Sequence, residues 1–216
     1  MKNILSDTDR NLLDQLLAEA EAQTRAQIVL ATVRRSDNYA EIPWKAFAFG
    51  TSVTGFAVFL LDLLHNSWIT DTMILFSVAA ILSSGAIFMI LTLIFPGFAR
   101  LFLSGIRRET ETLHYAEALF LSRELFTTAG RRGILLLVSQ FERQVVILPD
   151  KGVRDVLTIE VMKDIILKMT EHLRQNNVKK AMETGLEELV SKLSASSQTR
   201  PGNNELSDEI IEREGV

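Results

Sequence analysis

The residues of this chain that are best suited to bind a ligand follow an apolar, β-branched segment that ends at Pro149. Two carboxylates five positions apart can hold a hard cation through oxygen, and arginines can hold a phosphate or a carboxylate. The ends of strands are also where α/β folds often bind ligands. The alternative is structural, because Asp-Lys-Gly forms a good turn and paired arginines are often solvated turn charges. The candidate ligand-binding residues are Asp150, Gly152, Arg154 and Asp155 after this segment, together with Arg131 and Arg132, which lie earlier in the chain.

The chain lacks the residues that most other catalytic mechanisms need. The chain has no Cys, which excludes disulfides, thiolate catalysis and Cys-ligated zinc. No two of the three histidines, His65, His114 and His172, have metal-ligand spacing. There is no Gly-rich phosphate loop and no G-x-S-x-G elbow. We therefore assign no catalytic residue and leave the metal ligands unassigned. A net charge of −4 over 216 residues argues against a nucleic-acid binder.

Two apolar segments interrupt the polar sequence. Residues 73–99 hold no Lys, Arg, Asp, Glu or His, and residues 46–61 are also free of charge. A hydrocarbon core about 30 Å thick needs about 20 apolar residues of helix. The pattern predicts a transmembrane hairpin over residues 43–99, with spans at about 44–64 and 73–95. The alternative is two buried helices of a globular core, but the second uncharged run exceeds a normal soluble helix.

Positive charges near the ends of the two spans predict their orientation. Lys and Arg accumulate on the cytoplasmic side of membrane helices. Here they flank the outer ends of the hairpin and are absent from its link: Arg34, Arg35, Lys45, Arg100, Arg107 and Arg108. We therefore expect a multi-pass protein of the inner (plasma) membrane with both termini in the cytoplasm. No ionisable residue lies near either midplane, so the hairpin is predicted to be an anchor in the lipid bilayer.

The polar parts of the chain predict one α/β domain that the hairpin interrupts. Before the hairpin we expect a helix that begins at Ser6 and a buried strand over residues 27–33. After it we expect a helix over 110–128, strands over 134–139 and 144–149, a helix capped by Thr158 and a helix over 178–193. The first strand must pair with the later ones, because it is not stable alone. The two parts of the domain are residues 1–42 and 100–195, followed by a flexible acidic tail over 196–216.

These soluble parts resemble the TPM domain family. The most specific part is the predicted β-hairpin between Arg132 and Val153, where Gly, an apolar strand, a Glu-Arg turn and a β-branched strand precede Asp-x-Gly-Val. The strand at 27–33 and the Tyr-Ala-Glu-Ala-Leu-Phe segment at 115–120 also resemble the family. The Asn-Glu-Leu-Ser-Asp segment at 204–208 is similar to the tail of its membrane-embedded branch. The resemblance implies an α/β fold: a three-layer α/β/α TPM-like domain interrupted by a two-helix transmembrane hairpin.

The resemblance also implies phosphatase activity and divalent-cation binding, which are linked with some branches of the family. In those branches, acidic residues near the loop before the second strand help to hold the metal. The corresponding loop of this chain, residues 127–132, has no carboxylate. This difference disfavours metal binding in the family's manner. We therefore predict no cofactor, with a divalent cation as the open alternative.

Three functions are compatible with these patterns. The leading hypothesis is an interaction or assembly module at the cytoplasmic face of a bacterial inner membrane, with a protein partner or self-association. The alternative is a metal-dependent phosphatase of the TPM family. The third is a homo-oligomeric membrane scaffold in which small residues such as Gly50 and Gly85 pack between neighbouring hairpins. The same residues would instead allow the two helices of one hairpin to pack closely.

Overall fold

The computed structural model describes residues 5–65, 71–194 and 211–215. The chain forms two compact units. The first, which we call the α/β unit, joins Met1–Asn38 to Arg108–Val216. The second, which we call the hairpin unit, is Tyr39–Arg107 and is wider than the segment 43–99 that the charge pattern indicated.

The described elements follow one another in a simple order. They are α1 (Asp7–Thr24), β1 (Gln27–Arg35), α2 (Glu41–His65), α3 (Asp71–Ile94), α4 (Pro96–Ala99), α5 (Gly105–Ser122), β2 (Gly133–Ser139), β3 (Gln144–Pro149), α6 (Ile159–Arg174), α7 (Val178–Ser194) and β4 (Ile211–Gly215). Short 3₁₀ turns lie at Arg100–Phe102, Leu125–Thr127, Ala129–Arg131 and Lys151–Val153.

The α/β unit is built on a four-stranded sheet with the order β3-β2-β1-β4. β1 pairs in parallel with β2, and its Ile28 lies opposite Ile134. β2 and β3 form the predicted antiparallel hairpin, in which Leu136 lies opposite Ile147. The prediction that the first strand pairs with the later ones is thus confirmed, and segments on either side of the hairpin unit complete one sheet.

The tail contains a strand that the sequence did not indicate. Ile211–Gly215 pairs in parallel with β1, and Ala31 lies opposite Ile211, which is buried. The prediction of a flexible tail is therefore wrong for residues 211–215, while residues 196–210 lie outside the described residues. The physical reason is that β1 would otherwise leave a row of backbone donors and acceptors without partners along its second edge.

Helices cover both faces of the sheet, as the three-layer prediction requires. Alternate residues of the buried strands point to opposite faces. Ile28 and Leu30 of β1 belong to a core cluster with residues of α1, α6 and α7. Val29 and Ala31 belong to a second cluster with residues of α5. Both faces are buried, which explains why β1 and β2 are continuously apolar rather than alternating.

Several helix ends follow local signals. Ser6 caps α1 by accepting a hydrogen bond from the backbone N–H of Asp9, and Thr158 caps α6 in the same way. The predicted helix over 110–128 is shifted, because α5 begins at Gly105 and ends at Ser122. Glu124 then adopts a left-handed conformation (φ 53°) before a 3₁₀ turn. A non-Gly residue at positive φ cannot continue a right-handed helix.

An ion pair between α1 and α7 gives a pH prediction. Lys179 Nζ lies 2.8 Å from Asp9 Oδ1. This hydrogen bond lowers the pKa of Asp9 below its ordinary 3.8 and raises the pKa of Lys179 above its ordinary 10.5. The contribution of Asp9 to stability is lost as the pH falls through its lowered pKa, and that of Lys179 is lost as the pH rises through its raised pKa.

We therefore expect the Lys179→Met variant to be less stable than the wild type between about pH 5 and pH 9, and this difference to shrink at lower pH as Asp9 becomes protonated. The measurement is the free energy of unfolding of the full chain in detergent at each pH. Lys163→Met, at an exposed position of α6, is the control and should follow the wild type throughout. A difference between Lys179→Met and the wild type that persists unchanged at pH 2.5 would contradict this assignment.

The hairpin unit consists mainly of two long apolar helices. The candidate spans Glu41–Leu64 and Asp71–Ile94 have 24 residues each, with mean hydropathies of 1.8 and 2.4 in their most apolar windows. Only 6% of each window is buried. Both helices are thus long and apolar enough to cross a membrane, and their surfaces are not covered by the protein. The link between them, residues 66–70, lies outside the described residues.

Small residues hold the two helices of the hairpin together. Gly50 and Gly85 are buried, and a Cβ at Gly85 would lie 2.5 Å from Thr51 Cγ2. Thr54 Oγ1 donates a hydrogen bond to Ser84 Oγ at 2.7 Å. Ser84 Oγ is also 3.3 Å from the carbonyl oxygen of Gly50. Close packing within one hairpin is therefore confirmed.

The chain leaves α3 through a compact aromatic turn. Pro96 begins α4, and the rings of Phe88, Phe98 and Phe102 form a chain with centroid separations of 5.7 Å and 5.5 Å. Phe49 of α2 closes this chain at 5.9 Å from Phe102. The side chain of Arg107 pairs with Glu41 at 3.0 Å. The turn after α3 thus returns to α2 instead of extending away from it.

Candidate functional site

The predicted ligand-binding loop lies beside the N-terminal end of β2, not beside the C-terminal ends of the parallel strands. Asp150 follows β3, and its backbone N–H donates to the carbonyl oxygen of Gly133 at 2.8 Å. Because β3 is antiparallel to β2, the end of β3 lies beside the start of β2. Ligands of α/β folds usually bind at the carboxyl ends of the parallel strands, which is the opposite edge. Asp150 therefore does not lie where ligands of α/β folds usually bind.

Asp150 is engaged by a neighbouring arginine. Its side chain is 4% exposed, Arg131 Nη2 donates to Oδ1 at 2.9 Å, and Arg131 Nε lies 2.7 Å from Oδ2. The backbone N–H of Lys151 donates to Oδ1 at 2.7 Å. Gly152 packs against the same loop, where an added Cβ would overlap the carbonyl oxygen of Gly130. These contacts join the 3₁₀ turns before β2 and after β3. Asp150, Gly152 and Arg131 thus stabilise a turn, which was the alternative to ligand binding.

The other three candidates are separated from this pair. Arg132 donates from Nε and Nη2 to the carbonyl oxygens of Arg25 and Thr24, at 3.1 Å and 2.9 Å, and so satisfies the C-terminal end of α1. Arg154 and Asp155 are exposed in the turn that follows. The structure thus brings Asp150, Arg131 and Gly152 together and gives Arg132 a separate role.

The residues of this loop do not fit the divalent cation that the family resemblance implies. A hard cation needs several oxygen ligands, usually with more than one carboxylate. Asp150 already faces a guanidinium group, and residues 127–132 supply no carboxylate. Within the described residues, no three His, Asp or Glu side chains are grouped so that they could hold a metal ion.

The Asp150 contacts predict a stability effect. Replacing Asp150 by alanine removes the acceptor for Arg131 and for the backbone N–H of Lys151, so we expect the free energy of unfolding to fall by about 2–3 kcal/mol. Asp155→Ala, at an exposed position of the same turn, should change it by less than about 0.5 kcal/mol. Urea titration of the full chain in detergent measures both. Equal effects of the two substitutions would show that the Arg131 contact does not stabilise the loop.

A buried polar cluster at the opposite edge was not found from the sequence. Glu142 is completely buried, and its Oε1 accepts a hydrogen bond from the backbone N–H of Ser36 at 2.8 Å. Its Oε2 accepts from the hydroxyl of Ser139. Ser36 Oγ lies 3.1 Å from Ser139 Oγ and 3.5 Å from Thr112 Oγ1. The cluster joins the ends of β1 and β2 to α5.

A serine hydroxyl that is hydrogen-bonded to a carboxyl group is also one part of a nucleophilic catalytic site. Here Ser139 and Glu142 are both fully buried, which leaves a substrate no access. The cluster therefore stabilises the fold. No local pattern indicates this cluster, because Glu142 lies in a four-residue turn between two strands, where charged side chains are usually solvated.

Similarity to known proteins agrees with this architecture. Residues 103–192 match the family model of the TPM domain. The structure is similar to the NMR structure of the BA42 protein from the psychrophilic bacterium Bizionia argentinensis, with a TM-score of 0.57 and 14% sequence identity. The likeness covers 98% of this chain and 97% of that chain, and at this identity it shows the fold alone. No curated protein matches this chain in sequence.

Proposed function

We propose that this chain, whose residues 103–192 match the TPM domain, is a membrane-anchored interaction module whose α/β unit lies at the cytoplasmic face. The observation that carries the proposal is the contrast between the two units. The hairpin unit exposes apolar side chains along two helices, whereas the α/β unit buries most of its apolar residues in two core clusters and uses Asp150 and Arg131 for its own structure.

The exposed surface of the hairpin supports insertion into lipid. Large side chains such as Phe56, Leu64 and Phe76 are 62%, 78% and 74% exposed. A helix of about 24 residues is about 36 Å long, which is enough for a hydrocarbon core of about 30 Å. Lys45, Arg100 and Arg107 flank the outer ends of the two helices, which favours a cytoplasmic location for both ends of the chain.

The contacts favour an interaction module over the two alternatives. A metal-dependent phosphatase would need free ligands, and Asp150 is engaged by Arg131. A scaffold driven by small-residue packing between hairpins would need Gly50 and Gly85 on the outside of the hairpin. Both are buried against the neighbouring helix of the same hairpin. Binding a protein through the surface of the α/β unit requires neither free metal ligands nor exposed glycines on the hairpin.

The membrane placement can be tested by labelling, because the wild-type chain has no Cys. Single substitutions Asp7→Cys, Asp71→Cys and Glu117→Cys place one thiol in α1, at the start of α3 and in α5, each at an exposed position. An impermeant maleimide should label Asp71→Cys in intact cells, and the other two only after permeabilisation. Labelling of the two α/β positions in different compartments, or release of the protein by carbonate washing, would overturn the proposal.

The interaction role is tested by affinity capture of the tagged full chain from solubilised membranes, with untagged cells as the control. We expect at least one protein to copurify in a reproducible ratio. The phosphatase alternative is tested on the same preparation with an aryl phosphate and added Mg²⁺, Mn²⁺ or Ca²⁺. Turnover that disappears in the Asp150→Ala variant, without any copurifying protein, would favour the enzyme.

A further inference from the structure

An open groove runs between α1 and α7 on the outer side of the α/β unit. The two helices lie side by side in the same direction, since Asp9 pairs with Lys179 near both N-terminal ends. Further along, the groove has a volume of about 310 Å³. Buried Ala20 and Leu186 line it, together with the half-buried Leu16 and Val190. The groove is therefore an apolar depression that is bordered by polar side chains.

Acidic side chains surround this apolar depression. Glu19 and Glu187 are exposed, and neither has an ion-pair partner among the residues that the structure describes. Glu183 also lines the groove and pairs with Lys180 at 3.3 Å. The lining itself contains no Lys or Arg. We call this feature, formed by the four apolar residues and the three glutamates, the acidic groove.

The charge of the acidic groove decides what kind of molecule it suits. Anionic lipid and nucleic acid carry the same sign of charge and are disfavoured. The chain's own segment 204–212 contributes Glu205, Asp208, Glu209 and Glu212, so it is not complementary either. A volume of about 310 Å³ is at the lower limit of about 300–1,000 Å³ for small-molecule sites and suits a few inserted side chains.

We propose that the acidic groove binds an amphipathic helix of a partner protein, with apolar residues at helical spacing flanked by Lys or Arg. Apolar side chains of the helix fill the depression over Ala20 and Leu186, and its basic side chains pair with Glu19 and Glu187. Helix-in-groove binding of this kind depends on apolar anchors, while charges select the partner. This inference rests on the proposed interaction function and specifies the chemistry of the partner.

The test uses the full chain in nanodiscs of phosphatidylcholine and two labelled 18-residue peptides. Both peptides carry leucines at positions i, i+3, i+4 and i+7; one has Lys on the polar face, and the other has Glu at the same positions. Fluorescence anisotropy should show that the Lys peptide binds about tenfold more tightly than the Glu peptide, since Glu19 and Glu187 attract the basic side chains of the first and repel the acidic side chains of the second. Empty nanodiscs correct for binding to lipid.

Charge reversal provides the matched controls. Glu19→Lys combined with Glu187→Lys should abolish the preference for the Lys peptide or reverse it. Glu117→Lys combined with Glu171→Lys makes the same change in net charge at exposed positions of α5 and α6 and should leave the preference intact. Equal effects of the two double variants, equal binding of both peptides, or no binding above empty nanodiscs would overturn the proposal.

Two further outcomes separate this inference from the proposed function. A photo-crosslinker at Gln23, on the border of the acidic groove, should react with a basic amphipathic segment of another protein in cells. Reaction with residues 196–210 of the same chain would identify an internal occupant and overturn the groove proposal. Capture of the same partner by the wild type and by Glu19→Lys/Glu187→Lys would refute the groove and leave the interaction function standing. Peptide binding without any captured partner would count against the interaction function alone.

Discussion

Replacement of Glu142 by leucine is expected to lower the free energy of unfolding of the α/β unit by about 3–5 kcal/mol. The side chain of Glu142 is completely buried and accepts hydrogen bonds from the Ser36 backbone N–H and the Ser139 hydroxyl. Leucine has a similar volume but no acceptor. The backbone N–H of Ser36 would therefore remain buried without an acceptor, at a cost of about 1–3 kcal/mol, in addition to the loss of both bonds to the carboxylate.

Hydrogen–deuterium exchange of peptides from β1 and β2, in the full chain, measures this effect where it arises. Glu142→Gln is the matched control, because its amide oxygen still accepts from Ser36 and its NH₂ group can donate to Ser139 Oγ. We expect fast exchange in Glu142→Leu and near wild-type protection in Glu142→Gln. If both variants kept full protection, the buried cluster would not be a stabilising part of the sheet.

Replacement of Gly85 by leucine is expected to separate α2 from α3 and to destabilise the hairpin unit by about 3 kcal/mol. An added Cβ would lie 2.5 Å from Thr51 Cγ2 and 2.9 Å from the ring of Phe47. Any larger side chain must push the helices apart, which also breaks the 2.7 Å hydrogen bond between Thr54 and Ser84. Both losses occur where Gly85 of α3 packs against α2.

Gly55→Leu is the control for this prediction. A Cβ at Gly55 would approach only Ile81 Cδ1, at 3.9 Å, so the larger side chain has room. Trp44 reports the result, since its ring lies 6.3 Å from that of Phe47; a Trp68→Phe background removes the second indole. Thermal unfolding followed by Trp44 fluorescence should show an early transition for Gly85→Leu alone. A similar shift in both variants would mean that the close approach at Gly85 has no special importance.

The candidate site shows where local patterns stop being informative. The Asp-Lys-Gly segment identified a turn correctly, and Asp150 does cap the 3₁₀ turn that follows it. The partner of Asp150 is Arg131, 19 positions earlier, and the partners of Arg132 are carbonyl groups of α1 more than 100 positions away. Two adjacent arginines thus have separate roles, which depend on how β1, β2 and β3 are paired.

Long-range pairing also explains the two features that the sequence missed. Glu142 is charged and lies in a turn, and it is buried only because Ser36 at the end of β1 reaches it from 106 positions away. Three of the five residues in Ile211–Gly215 are charged, so the segment has a weak strand pattern. They form β4 because β1 pairs with β2 on one side only, which leaves the backbone groups on its other side free to pair with a further strand.

The sequence by itself determined the features that depend on neighbouring residues. Charge-free length selected two helices suited to a membrane, apolar β-branched runs selected β1, β2 and β3, and Ser6 and Thr158 fixed two helix starts. The tertiary structure alone decided the sheet order, the partner of Asp150, the burial of Glu142 and the acidic groove. The physical reason is that hydrogen bonds and packing within a helix or a turn act over a few positions. The identity of the side chain opposite Asp150 or Glu142 depends on which distant elements share a surface, and no local pattern contains that information.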